Sequence, residues 1–116
     1  MHLFHHLPAP AVGLTHWAVY EVPLHGIDRQ WSTHFVGFEQ SSGLVQVTSQ
    51  TLEFNADDAL GLSQTGKVFH LMGAPAVETG PLGKWTQWKK LSGVKLERDI
   101  TTSFYKALRA LSGAWI

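Results

Sequence analysis

Seven histidines and no cysteine set the chemistry open to this chain of 116 residues. Without a thiol there is no disulfide framework, no cysteine-based zinc site and no thiol nucleophile. The densest cluster is His2, His5 and His6. Imidazoles at that spacing suit a transition metal, but no carboxylate stands beside them and no second ligand pair follows downstream, so a partly apolar arm is the plainer reading. His34 and His70 fall inside segments that read as strands. A half-buried, hydrogen-bonded imidazole is expected there before a general base, which needs a proton to abstract within hydrogen-bond reach. His16 and His25 flank the first strand and show no partner.

Serine and threonine are plentiful, yet no Gly-x-Ser-x-Gly elbow occurs. Gly61 and Gly66-Lys67 have the spacing of a phosphate-binding loop, but Val68 occupies the Ser/Thr position and a strand follows where a helix is required. Asp57-Asp58 is a single acidic pair in a turn, suited to an Asx turn. The expectation is therefore a protein that is not an enzyme, with no catalytic set, cofactor or metal. The alternative is a small hydrolase or metal enzyme that uses His34, His70 or the N-terminal histidines.

The elements that would position these residues form an α+β domain. Residues 1–13 read as an arm broken by Pro8, Pro10 and Gly13, and residues 14–116 as one domain. Trp17 to Val22 and Trp31 to Glu39 are rich in aromatic and β-branched residues and read as strands. Leu44 to Phe54 reads as a third strand whose apolar signal changes parity, from Val45 and Val47 to Leu52 and Phe54. That change predicts a bulge or bend near Ser49–Thr51. Lys67 to Met72 is the last clear strand. Pro81 then suits the first turn of a helix running to about Leu91, on which Trp85, Trp88 and Leu91 share a side. Asp99 is a plausible cap for a final helix. There Ile100, Phe104, Ala107, Leu108, Leu111 and Trp115 form one stripe, and Gly113 can end it. Strands followed by helices predict an antiparallel sheet of four to five strands with two C-terminal helices packed on one face.

Composition bounds the function class. Apolar residues make up 44% and charged residues 16%, which excludes a disordered chain. Nine basic and nine acidic residues cancel, which excludes mechanisms that work by bulk charge. Position restores a polarity: residues 1–80 hold seven acids and two bases, a net of −5, and residues 81–116 hold seven bases and two acids, a net of +5. The bland reading is mutual attraction of the halves; the sharper one is a basic helical surface for an acidic protein or a phosphate backbone. Trp with cationic neighbours is frequent in binding hot spots, so the contact candidates are Lys84, Trp88, Lys89, Lys90, Lys106 and Arg109. Met1 to Pro8 lacks Lys and Arg and makes a poor signal peptide. No stretch approaches the roughly 18 apolar residues of a spanning helix. A cytoplasmic protein without a membrane partner, monomeric or a small homo-oligomer, is expected.

Several of these residues together resemble a family of small proteins found in proteobacterial plasmids, phages and integrated elements. They are Trp17, His34-Phe35-Val36-Gly37, Gly43 to Thr48, Thr65-Gly66-Lys67-Val68-Phe69-x-Leu71-x-Gly73-x-Pro75, Trp85-x-x-Trp88, Gly93 and Asp99-Ile100-Thr101. Ala76 departs from the glycine usual there. The family carries no assigned activity or cofactor. The resemblance implies a mobile-element setting, in which small proteins bind host machines stoichiometrically, anti-CRISPR inhibitors among them. The leading expectation is thus stoichiometric binding to a host protein or nucleoprotein complex. The rivals are direct nucleic-acid binding by the basic half, the histidine-dependent enzyme, and a structural subunit of a homo-oligomer.

Overall fold

The computed structural model describes Pro10, residues 12–76 and residues 82–112. His2, His5 and His6, Pro81, Gly113 and Trp115 lie outside the described residues. Seven strands and two helices follow in the order β1 (Val12–Val22), β2 (Ser32–Glu39), β3 (Val45–Val47), β4 (Thr51–Asn55), β5 (Leu60–Ser63), β6 (Val68–Met72), α1 (Leu82–Ser92), β7 (Arg98–Asp99) and α2 (Thr101–Ser112). The α+β class holds, but the sheet is larger than expected and mixed. Its order is β3-β2-β1-β6-β5-β4, with β7 also paired to β1. Val12 and Gly13, expected in the arm, already pair with Phe69 and His70 of β6.

β1 is the spine. One edge pairs antiparallel with β2 along its length; the other is shared, with β6 parallel along Val12–Thr15 and β7 antiparallel at Tyr20–Glu21. A bulge between Thr15 and Ala18 resets the register. His16 takes a positive φ of 47° there, so that Leu14 and Trp17, three residues apart, both face the same core. Gly37 on β2 faces the bulge, where a Cβ would sit 3.0 Å from the Thr15 carbonyl oxygen and 3.2 Å from the Trp17 Cα. Only glycine fits without moving backbone.

The expected single strand over Leu44–Phe54 is two strands. β3 pairs with β2, and β4 pairs with β5 at the far end of the strand order. Both run in the same sense as β1. The change of parity marks a change of partner. Thr48 donates its N–H to the Phe35 carbonyl, and the Gln50 carbonyl accepts from the Gln64 N–H, so three residues carry the chain from one end of the sheet to the other.

That connection is possible only if the sheet curls. Neighbouring strands lie about 4.8 Å apart, so β2 and β4, four places apart in the order, would be about 19 Å apart in a flat sheet. Yet the rings of Phe35 on β2 and Phe54 on β4 stack with centroids 5.7 Å apart. Their shared face is therefore the concave one. It holds Leu14, Trp17, Val19, Phe35, Phe54 and Phe69.

The helices do not share a face, contrary to the sequence expectation. α2 closes the concave side, where Phe104 packs edge-on against Trp17, Phe35 and Phe54 and Leu108 is buried. α1 covers the convex side over Ala18, Tyr20, Val22 and Val36. The reason is in β1 and β2: residues of both parities are apolar, so both faces of these central strands need cover. Thr101 anchors α2, accepting the Val19 N–H at 2.9 Å through its hydroxyl. The Asp99 carboxylate accepts the Thr101 N–H at 2.9 Å and caps the helix as expected. Of the predicted α2 stripe, Ile100, Phe104 and Leu108 pack inward, whereas Ala107 and Leu111 are exposed.

Candidate functional site

α1 ends in a Schellman turn. The Val94 N–H donates to the Lys89 carbonyl and Gly93, at φ 72°, donates to that of Lys90. Val94 returns to the convex core. This turn sends residues 95–97 back along the helix, where Lys89 pairs with Glu97. The same carboxylate oxygen accepts the Trp85 indole N–H at 3.3 Å. Glu97 thus ties the loop to the helix through one cation and one indole.

Beneath the helix lies an aromatic stack. Tyr20 stacks on Trp85 with centroids 4.6 Å apart, and Trp85 stacks on Trp88 at 5.1 Å. Burial, reinforced by the nearby charges of Asp99 and Glu97, pushes the Tyr20 phenol up to about 12. His34 lies against Trp88 with ring centroids 4.5 Å apart. Its Nδ1 is 2.9 Å from the Thr48 carbonyl oxygen, and its Nε2 is 2.7 Å from the Ser32 hydroxyl. A carbonyl only accepts, so Nδ1 carries the proton and Nε2 of the neutral ring accepts from Ser32. Burial lowers the His34 pKa, opposed by its bond to the Thr48 carbonyl. Ser32 and His34 have the hydroxyl–imidazole contact of a nucleophile and its base, but both are fully enclosed. The imidazole holds the strand ends of β2 and β3 together.

Above the stack, α1 turns a mixed surface outward. Trp85 is buried and Trp88 half-buried. Leu91, expected to share their side, is 81% exposed, and Leu96 in the following loop is 49% exposed. Lys84 and Lys90 are exposed and, among the described residues, make no ion pair. Lys89 is the exception in this group, since its ammonium is held by Glu97.

The six predicted contact residues therefore divide. Lys84, Trp88, Lys89 and Lys90 lie on α1 over the convex face; Lys106 and Arg109 lie on α2 over the concave face. Arg109 sits over the Tyr105 ring at 5.6 Å. The exposure of Leu91 and Leu96 was not expected from the sequence, although the weak amphipathicity of α1 was the signal that one of its apolar residues would lie outside the core. A further basic group, Arg98, stacks over Trp31 at 3.8 Å with Glu21 at 3.9 Å. Among the described residues, no group of three or more His, Asp or Glu is placed to hold a metal ion, and no helix is long and apolar enough to cross a membrane. Comparisons with protein-family models, with curated proteins and with solved structures find no match to this chain.

Proposed function

We propose that the protein is a stoichiometric binding protein whose contact surface is the outer side of α1. Its partner is an acidic protein surface carrying an apolar recess. The observation that supports this reading most is Leu91, 81% exposed on a helix that also presents Lys84 and Lys90. An exposed leucine beside uncommitted cations suits a protein interface, in which an apolar centre is ringed by polar contacts. A phosphate backbone would use the cations and leave the leucine idle, so the protein partner is favoured over nucleic acid. A cytoplasmic host protein met by a mobile-element product fits this reading.

The test is capture from host lysate by the native chain and by two variants, one altered on each helix. Lys84→Glu with Lys90→Glu and Leu91→Asp should abolish capture of an acidic protein, with an unchanged melting temperature. Lys106→Glu with Leu111→Asp, on the other face, should leave capture intact. Retention by the first variant, or loss only with the second, rejects the α1 surface. Capture removed by nuclease assigns the surface to nucleic acid instead.

A further inference from the structure

The concave face is not filled along its whole length. α2 closes the end around Trp17, Phe35 and Phe54, while a cavity of about 370 Å³ opens at the other end, between β1, β6, the segment that follows β3 and Trp88 of α1. Small-molecule sites span roughly 300–1,000 Å³ and combine an apolar body with a few polar groups.

The lining is graded. Leu14 and Phe69, both fully buried, lie deep in it. Thr65 and Lys67 line it as well and are exposed, which places them at the mouth. Gly61 makes the depth possible: the Phe69 ring lies over its Cα, 2.2 Å from where a Cβ would be. Hydroxyls gather between the two levels. The Thr65 hydroxyl lies 3.2 Å from those of both Ser49 and Ser63. Lys67 continues the parity of Phe69 and so leans to the concave side; among the described residues it makes no ion pair.

We infer that this cavity binds a small organic anion with an apolar body. The body enters toward Leu14 and Phe69, and the anionic head, a carboxylate or similar group, stays at the mouth with Lys67 and the Thr65 hydroxyl. Trp88 of α1 forms one wall of the cavity, but the exposed Lys84, Lys90 and Leu91 do not line it, so the capture variants and the titration test different residues.

The probes are 2-naphthoate and 2-naphthylmethylammonium, which share an aromatic body and carry opposite charges. Each is titrated into the full-length, ¹⁵N-labelled chain while amide shifts are followed. Naphthoate should move amides in residues 12–14, 46–49 and 63–69 and at Trp88, and bind more tightly than the amine. Lys67→Glu, at an exposed turn position where the fold is insensitive, should weaken naphthoate about tenfold with an unchanged melting temperature. Three outcomes would overturn the site: no shifts at millimolar naphthoate, equal affinity for both probes, or shifts centred on Lys84, Lys90 and Leu91.

Discussion

At the scale of single residues, His34 shows how burial turns a reactive side chain into a structural one. Its two ring nitrogens are spent on Thr48 and Ser32, and its pKa is lowered first by burial. The unfolded chain takes up a proton near pH 6.5 that the folded chain refuses. Folded stability is therefore fully present above that pH and falls as the pH drops through it. His34→Gln should flatten this dependence, so the difference in melting temperature between about pH 7.5 and 5.5 shrinks relative to the native chain. Equal slopes would contradict the account. Tyr20 has the opposite sign. Its phenol is raised to about 12, so the folded state keeps a proton that the unfolded state loses near pH 10, and stability falls above that pH. Tyr20→Phe should abolish that alkaline loss, read by chemical denaturation. The position of His34 beside Val36 was legible in the alternation of β2. Its partner Thr48 was not, because Thr48 is distant in sequence and meets β2 only through the pairing of β3.

At the scale of elements, two small groups carry disproportionate structure. Gly61→Ala would put a methyl within 2.2 Å of the Phe69 ring. Overpacking of this kind costs about 1–3 kcal/mol, and urea denaturation should show it as a lower midpoint with an unchanged slope. Thr101→Val removes a hydroxyl that accepts the buried Val19 N–H. Leaving that donor unpaired costs about 1–3 kcal/mol, so amide exchange at Val19 should quicken and the melting temperature fall. Most elements could be read from the chain: β1, β2 and β6 follow from their aromatic and β-branched runs and α2 from its apolar stripe and Asp99, while weakly amphipathic α1 was expected from its place after Pro81, which lies outside the described residues. β5 and β7 could not. Leu60–Ser63 carries too little β-branched character, and Arg98–Asp99 is a two-residue charged strand held in place only by β1. The break between β3 and β4 was visible as a parity change, but parity alone does not distinguish a bulge from a change of partner.

At the scale of the whole molecule, the curl of the sheet decides which residues can act together. It gathers the aromatic rings into one concave core, leaves a convex face for α1, and so parts the basic half of the chain into two surfaces. Net charge by half was legible in the sequence; its division between faces was not, since that depends on both parities of β1 and β2 being buried. Both helices expose a leucine beside cations, Leu111 with Lys106 and Arg109 on α2 and Leu91 with Lys84 and Lys90 on α1. Leu91 is the more exposed, 81% against 68%, and the claim that α1 is the contact surface is the one on which the functional account rests. The most direct test is the capture comparison between opposite faces. The account predicts that the α1 variant with Lys84→Glu, Lys90→Glu and Leu91→Asp loses an acidic protein partner which the native chain and the Lys106→Glu, Leu111→Asp variant both retain. A partner kept by the α1 variant and lost by the α2 variant would contradict it.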